Sequence, residues 1–419
     1  MKILFFADNF PPERNAQASR VYERACYWVR WGHEVTVLTC APNFPEGKVF
    51  PGYTNRWRQV EEMSGIRVVR LKTYIAPNAG SYRRILDFLS YMVAAFVAGF
   101  FEPRPDLVVA TSPQFFGALG ACVLAALRRR PFVLELSDLW PESIVAVGAM
   151  KPNIGLKLLI GAELWMYRRA VRIVALTKAF KANLVRRGVE DGKIGVVING
   201  VELSRYKPRA KDRDLAKTLG LEELDFVVGY IGTLGMAHAL ESVLETAALD
   251  GDGEIRFLFV GPGAEREKLI AKARQMALRN VIFVPAQPKE MMPAYWSLCD
   301  AALVHLKDTP LFETVIPSKI FEAMGMGTPI ILASPKGEAS GILAESGAGL
   351  WVLPERPNEL LDAILLLKSN PQLYQRLAAC SLGSAPNYSR ERQAREMLAI
   401  LQQAVNVPVQ PEIAAPIPG

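Results

Sequence analysis

The sequence predicts an α/β protein with two doubly wound domains. Short, continuous apolar segments recur along the chain, and helical segments separate most of them. Such an alternation is typical of a parallel sheet that is covered by helices on both faces. The alternation breaks over the charged, aperiodic residues 203–223 and then starts again. A chain of 419 residues is also long enough for two domains of ordinary size.

Each apolar segment is expected to be a strand. In the first half these segments are residues 2–7, 34–39, 66–71, 106–111, 131–136, 172–177 and 193–198, with a helix predicted over 18–31. In the second half they are residues 225–232, 255–261, 281–285, 301–306, 329–334 and 349–353. We therefore expect a first domain over residues 1–205, a second over 206–388, a last helix over 389–405 and a disordered, Pro-rich tail over 406–419.

Composition excludes several classes of function. The net charge of +7 favours anionic partners such as phosphate-bearing substrates or membrane lipids. No Lys/Arg block with interleaved aromatic residues is present, so no nucleic-acid partner is expected. Five scattered cysteines without a CxxC pair, together with only three histidines, argue against a disulfide framework and a zinc site. The start MKILFFADNFPP lacks a signal-peptide pattern, so we expect a cytoplasmic protein.

One apolar segment qualifies that expectation. Ile85–Phe101 is almost wholly apolar but carries Asp87, and it sits at the short edge of the length that crosses a bilayer. A buried core helix, an interfacial helix on a membrane and a true span all remain open. The preceding Arg83 and Arg84 favour contact with anionic headgroups over a span.

The most informative stretch is Phe312–Leu332, FETVIPSKIFEAMGMGTPIIL. Pro317 and Ser318 predict the start of a helix, with Ser318 as its N-cap. Lys319 then lies in the first turn, where a cation and the helix dipole suit a phosphate. Glu322 lies one turn after Ser318, where a carboxylate suits the vicinal hydroxyls of a sugar. From spacing alone, a capped helix with a surface Lys–Glu pair is the stronger interpretation.

Other candidate residues follow predicted strands, at the edge where open α/β sheets bind ligands. The loop DLWPES places Asp138, Trp140 and Glu142 there, although a capped helix entry explains the same pattern. His238 is predicted to open a helix after Gly232, where the backbone can approach a ligand closely; a structural histidine is the alternative.

Common cofactor motifs are missing. The partial dinucleotide fingerprint VGPGAEREKL has Arg266 where a third glycine is needed. The chain has no P-loop, no GxSxG elbow and no DxD-like motif after a strand. We therefore expect neither a cofactor nor a metal.

In combination, several motifs resemble the family-4 retaining glycosyltransferases of the GT-B fold. They are DNFPPE, DLWPES, YIGTLGMAHALESVLETA, FLFVGPGAEREKL and PSKIFEAMGMGTPII. The resemblance is closest to the branch that builds bacterial surface polysaccharides, the N-acetylfucosamine and colanic-acid type transferases. It implies two Rossmann-like domains facing across a cleft, a nucleotide-sugar donor on the second, an acceptor on the first, and a last helix that crosses back.

Carried over residue by residue, the resemblance assigns Glu322 to the donor ribose. The family's second acid, eight positions earlier, is Thr314 here, with Glu313 one place away. Basic residues that the family often has after the first strand of the second domain are absent, and Lys319 is the natural substitute. The expected donor-binding residues are Gly232, Thr233, His238, Glu313, Ser318, Lys319 and Glu322. The expected catalytic residues are Asp138 and Lys319, and the acceptor-side residues are Glu13, Arg14, Trp140 and Glu142.

The resulting hypothesis is a glycosyltransferase. It would move a sugar from a nucleotide sugar, with UDP expected, to a lipid-linked or growing oligosaccharide with retention of configuration. An acceptor on a polyprenyl diphosphate would bring the protein to the cytoplasmic face of the inner membrane. A GT-B sugar-nucleotide epimerase and a membrane-associated, non-catalytic GT-B scaffold are the alternatives.

Overall fold

The computed structural model describes residues 1–13, 15–44, 46–76, 81–112, 114–139, 154–250 and 253–406. The chain divides into two compact units: Met1–Ile198 together with the chain from Gln393, and Asn199–Arg392. These borders differ from the predicted ones at residues 205 and 388. The reason is backbone pairing within the second unit, where the Val201 N–H donates to Tyr388 O (2.9 Å) and the Arg390 N–H donates to Val201 O (2.7 Å). The predicted tail from residue 407 onward lies outside the described residues.

The first unit is built on an eight-stranded sheet, counted over the described residues, of order β3-β4-β2-β1-β5-β6-β7-β8. Its strands are β1 (Lys2–Phe6), β2 (Glu34–Cys40), β3 (Arg58–Met63), β4 (Ile66–Leu71), β5 (Leu107–Thr111), β6 (Phe132–Leu136), β7 (Arg172–Ala175) and β8 (Ile194–Val196). Its helices are α1 (Ala16–Arg30), α2 (Ser81–Phe101), α3 (Phe115–Leu127), α4 (Ile154–Arg169) and α5 (Lys178–Arg186). Neighbouring strands are parallel except β3 and β4.

Strand β3 has no counterpart among the predicted strands. Its sequence RQVEEM has no buried residue, because it forms the antiparallel edge of the sheet. An edge strand with one partner does not need the continuous apolar pattern of a central strand.

The second unit is built on a parallel sheet of order β11-β10-β9-β12-β13-β14. Its strands are β9 (Phe226–Ile231), β10 (Ile255–Val260), β11 (Val281–Val284), β12 (Ala301–His305), β13 (Ile330–Ala333) and β14 (Gly349–Val352). The helices along this part of the chain are α6 (Arg213–Thr218), α7 (Glu241–Leu249), α8 (Arg266–Gln275), α9 (Met292–Trp296), α10 (Lys319–Met326), α11 (Glu338–Ser346), α12 (Pro357–Ser369), α13 (Pro371–Ser384) and α14 (Arg390–Val405). Because β9 lies between β10 and β12, the loops that follow these three strands meet at one edge.

Helix α14 contributes to the core of the first unit from Gln393 onward. The Trp28 indole N–H on α1 donates to Ala394 O (2.9 Å), and Met397 and Leu401 are fully buried in the same apolar cluster.

Helix α2 is buried on one face and exposed on the other. Tyr91 and Ala95 are buried in the core shared with α3, whereas Val93 and Val97 are 55% and 49% exposed. Residues Arg83–Phe101 are long and apolar enough to cross a membrane by length and composition, with a mean hydropathy of 1.6. The helix is therefore not the fully buried core helix that was one of the three interpretations.

A buried ion cluster joins α1 to β6. Glu135 is fully buried and lies 3.0 Å from Arg20 Nε and 2.8 Å from Arg24 Nη2. Burial alone would raise the pKa of Glu135, but the charges of Arg24 and Arg20 overcome it and lower that pKa to about 2. The carboxylate thus stays ionised and compensates two guanidinium groups that are almost completely buried.

We predict that Glu135→Gln lowers the free energy of unfolding by about 3 kcal/mol, because two buried cations lose their counter-charge. Urea denaturation at neutral pH measures the change. Glu34→Gln is the matched control, since Glu34 pairs with Lys2 at the surface, and it should cost less than about 1 kcal/mol. Equal losses in the two variants would contradict the role given to the cluster.

Candidate functional site

The centre of the candidate site is a buried lysine at the carboxyl edge of the second sheet. Lys319 is the first residue of α10 and is 7% exposed. Its Nζ donates to the Tyr230 hydroxyl (3.0 Å) and lies 4.1 Å from the centroid of that ring. Within the described part of the chain, no carboxylate comes within ion-pair distance of Nζ. Burial lowers the pKa of Lys319 to about 8, although the charge of Glu322 acts in the opposite direction.

Glycines let the neighbouring loops approach this lysine. Gly232 follows β9 with φ +146°, and a Cβ at that position would lie 3.1 Å from Lys319 Nζ. A Cβ on Gly261, which follows β10, would overlap Gly232 O. The Tyr230 hydroxyl donates to Thr233 O (2.8 Å), so the ring beneath the ammonium also holds the loop after β9. Side chains larger than glycine would close the space beside the ammonium.

The prediction that His238 opens a helix is wrong. His238 ends a short 3-10 turn, Ala239 takes a left-handed conformation (φ +42°), and α7 begins at Glu241. His238 Nδ1 donates to His305 O (3.1 Å), and His305 Nδ1 donates to His238 O (2.8 Å). Burial lowers the pKa of both imidazoles to about 4, and Lys319 contributes to the shift at His238. Both rings are therefore neutral at pH 7 and tie the loops after β9 and β12 together.

Glu322 lies one turn deeper on α10. The indole N–H of Trp296, a fully buried residue of α9, donates to Glu322 Oε2 (3.1 Å). This bond fixes the direction of the carboxylate. Trp296 was not among the predicted site residues, and its place in the apolar segment AYWSL gives no signal of the contact.

The start of α10 differs from the prediction in one respect. Ser318 takes helical backbone angles (φ −62°, ψ −25°) and its side chain makes no capping bond. A capping serine needs extended backbone, so the prediction that Ser318 caps the helix through its side chain is wrong. The Ile320 and Phe321 N–H groups donate to Pro317 O and Ser318 O instead. At the positive end of α10, the groups available to an anion are therefore the helix dipole and Lys319 rather than a capping side chain.

Glu313 and Thr314 belong to a short 3-10 helix, Pro310–Thr314. The Thr314 hydroxyl donates to Leu311 O (3.0 Å), and Glu313 is exposed. A Cβ on Gly337 would overlap Glu313 O, so this turn packs against the residue that precedes α11. The structure thus clusters Gly232, Thr233, His238 and Lys319 around Tyr230. It places the backbone of Glu313 against Gly337, the residue that precedes α11.

On the first unit, Glu13 is buried and engaged with backbone. Its Oε1 accepts from the N–H groups of Asn43 and Phe44 (both 2.9 Å), and its Oε2 accepts from the Phe10 N–H (3.1 Å). Glu13 is 3% exposed. These bonds give the carboxylate a defined structural task, which is to hold the loops that follow β1 and β2.

Asp138 follows β6, in the loop predicted from the sequence. Its N–H donates to Ser112 Oγ (3.3 Å), and the Ser137 N–H donates to the same oxygen (2.9 Å). The turn after β6 is thereby joined to the end of β5. The other predicted acceptor-side residues, Arg14, Trp140 and Glu142, lie outside the described residues.

Two carboxyl groups that were not predicted lie in the first unit. Asp8 follows β1 and Asp87 lies on α2. Burial, assisted by the charges of Asp8 and Glu13, raises the pKa of Asp87 to about 7. Burial also raises the pKa of Asp8 and of Glu13. The charges of Asp8 and Glu13 thus favour the protonated form of Asp87, which is partly protonated near neutral pH.

We predict that Asp87→Asn raises the melting temperature more at about pH 8 than at about pH 5. Folding raises the pKa of Asp87 from the ordinary value of 3.8 to about 7. Between these two values the folded protein binds more protons than the unfolded protein does, so the folded protein loses stability as pH rises through about 7. Thermal unfolding across pH measures the difference. Asp362→Asn, at an exposed position on α12, should show no such trend. A pH-independent effect of Asp87→Asn would contradict the electrostatic account.

Among the described residues, no group of three or more His, Cys, Asp or Glu side chains is placed to hold a metal ion.

Comparisons with known proteins agree with this architecture. Residues 15–200 match the family described as "Glycosyl transferase 4-like domain", and residues 211–380 match "Glycosyl transferases group 1". The structure is similar to a sucrose-phosphate synthase from Thermosynechococcus elongatus, with a TM-score of 0.73, 19% identity and coverage of 96% of this chain and 98% of the other. It is similar also to Anabaena Alr3699/HepE in complex with UDP, with a TM-score of 0.71, 18% identity and coverage of 96% and 100%. These likenesses show the fold of GT-B glycosyltransferases.

The chain belongs to the glycosyltransferases with a family-4-like first domain and a group-1 second domain. It is 27% identical over 384 residues to the glycosyl transferase WcaI of Escherichia coli (strain K12), which is named for colanic acid biosynthesis; the match covers 88% of this chain and 94% of the relative. It is 29% identical over 203 residues to TuaH of Bacillus subtilis (strain 168), named for teichuronic acid biosynthesis, with coverage of 48% and 49%. The predicted family and the predicted class of enzyme are confirmed.

Proposed function

We propose that this glycosyltransferase moves a sugar from a UDP-sugar to a lipid-linked oligosaccharide during the synthesis of a surface polysaccharide. The observation that carries the proposal is Lys319, a buried ammonium without a carboxylate partner among the described residues. A buried charge is costly unless it is paired, and the diphosphate of a nucleotide sugar would supply the pairing charge.

Each residue of the cluster has a place in this proposal. Lys319 donates one ammonium N–H to Tyr230, and its remaining ammonium N–H groups bind the diphosphate. Glu322, oriented by Trp296, accepts hydrogen bonds from the ribose hydroxyls. Gly232 lets the diphosphate reach the ammonium, and neutral His238 faces the donor without adding charge. Thr233, Ser318 and Glu313 are further candidates for donor contact.

The chemistry needs charge stabilisation at the leaving group. As the bond between the sugar C1 and the phosphate oxygen breaks, the diphosphate gains negative charge. A preorganised cation in a dry site stabilises that charge, and one such donor contributes about 3 kcal/mol. We propose that Lys319 and the dipole of α10 perform this task without a metal cofactor. Retention of configuration is proposed from the family resemblance.

The acceptor is proposed to bind the first unit, where Asp138, the candidate catalytic residue, lies in the loop after β6. Support for an acceptor from polysaccharide synthesis comes from the two relatives named for colanic and teichuronic acid biosynthesis. A polyprenyl-diphosphate carrier would place the protein in the cytoplasm, at the periphery of the inner membrane.

We predict that Lys319→Ala and Glu322→Ala each reduce sugar transfer at least about a hundredfold, because one loses the leaving-group cation and the other the ribose contact. A radiolabelled UDP-sugar and a membrane extract as acceptor give the readout, with circular dichroism as the check on folding. Lys336→Ala is the control, since Lys336 is an exposed lysine at the start of another helix. Wild-type transfer by both site variants would overturn the assignment.

We predict that affinity for UDP falls as pH rises through about 8. Deprotonation of Lys319, whose pKa is lowered to about 8, removes the positive charge that the diphosphate requires. Isothermal titration calorimetry between about pH 7 and pH 9.5 measures the decline. Lys319→Arg, which stays charged over this range, should bind UDP with a flat pH profile. A decline of equal size in that variant would assign the titration to another group.

A further inference from the structure

The exposed face of α2 carries an apolar stripe. Leu86, Val93, Val97 and Phe101 recur at helical spacing and are 37%, 55%, 49% and 80% exposed. On the surface of a soluble protein, large apolar side chains with this exposure are normally isolated from one another. A contiguous group of such side chains marks a contact surface. The stripe therefore points to a partner that covers it.

A second element extends this stripe into a groove. Trp57, just before β3, is 81% exposed, and Tyr74, just after β4, is 46% exposed. Together with the stripe they line an open groove of about 700 Å³ between α2 and the β3–β4 hairpin. We call this surface the α2 groove; its lining includes Trp57, Tyr74, Val93, Val97 and Phe101.

The charged residues that line the α2 groove, among the described ones, are Arg58 and Lys72. Arg58 is neutralised by the buried carboxylate of Glu102 (2.7 Å), so Lys72 supplies the cation that faces a ligand. Lys72 Nζ lies 4.8 Å from the centroid of the Trp57 ring. Cations beside Trp and Tyr at the rim of an apolar surface match the interface of a bilayer with anionic headgroups.

The packing of α2 indicates that the helix could lie on a membrane rather than cross it. Its opposite face is fixed to the first unit: the Tyr91 hydroxyl donates to Leu38 O (2.8 Å), and a Cβ on Gly117 of α3 would lie 2.6 Å from the Tyr91 ring. A helix bound in this way presents one face only. That geometry is the one expected of an interfacial helix.

We propose that the α2 groove is the surface by which this protein docks on an anionic phospholipid bilayer. Val93, Val97 and Phe101 enter the acyl-chain boundary, Trp57 and Tyr74 lie at headgroup level, and Lys72 contacts lipid phosphate. The inference gives a contact surface to the membrane association within the proposed function and rests on that proposal.

The test uses the full chain and co-sedimentation with vesicles of phosphatidylglycerol and phosphatidylethanolamine, compared with phosphatidylcholine alone. The wild type should bind the anionic vesicles. The double variant Val93→Gln and Val97→Gln should lose about tenfold in partition coefficient, because two apolar side chains become polar. Lys72→Gln should lose about fivefold on anionic vesicles and nothing on phosphatidylcholine.

The matched control is Leu365→Gln and Leu366→Gln on α12, two aliphatic side chains that are 42% and 48% exposed in the other unit. It should bind vesicles like the wild type. Undiminished binding by the α2 variant, or no vesicle binding by the wild type, would overturn the proposal. So would a wild-type dimer, seen by light scattering, that the α2 variant makes monomeric, since a second copy would then cover the groove.

UDP binding by calorimetry separates this inference from the proposed function. Loss of vesicle binding with unchanged UDP affinity in the α2 variant supports the docking surface. Failure of the wild type to bind UDP would contradict the donor site and leave the vesicle result standing.

Discussion

The candidate site of the second unit depends on the buried ammonium of Lys319. Lys319 has lost most of its contact with water, and its partner is the Tyr230 hydroxyl rather than a carboxylate of the described chain. Its position at the positive end of α10 adds to the cost of the charge. An anion placed beside Nζ relieves both costs at once. This is the physical reason why we propose a diphosphate as the ligand. Burial without such a partner also lowers the pKa of Lys319 to about 8.

The other residues of the site position the loops around the Lys319 ammonium. Strand β9 lies between β10 and β12, so three loops converge beside Nζ. Gly232 provides the space, and the reciprocal bonds between His238 and His305 hold two of the loops. The first unit has the opposite character, because it carries buried carboxyl groups: burial raises the pKa of Asp8, and it raises the pKa of Asp87 to about 7. A cationic pocket suits a diphosphate, whereas carboxyl groups suit sugar hydroxyls.

Patterns local in sequence could be predicted, and contacts between distant residues could not. Apolar segments located the central strands, and the spacing of PSKIFE located Lys319 and Glu322 on one helix. The polar edge strand β3 was missed because its residues alternate without an apolar run. Tyr230 under Lys319 and Trp296 on Glu322 join residues 89 and 26 positions apart. Such pairs depend on the order of the strands in the sheet and on how the helices pack against it. The spacing of residues along the chain does not reveal either.

The central claim is that Lys319 and Glu322 form the donor site, and a crystal structure of the chain with UDP tests it most directly. The account predicts a phosphate oxygen within about 3 Å of Lys319 Nζ and the ribose hydroxyls within the same distance of the Glu322 carboxylate. It also predicts that the Tyr230–Lys319 bond persists, since the ring holds the ammonium in place. UDP bound at another edge of the sheet, or with its diphosphate away from Lys319, would contradict the account.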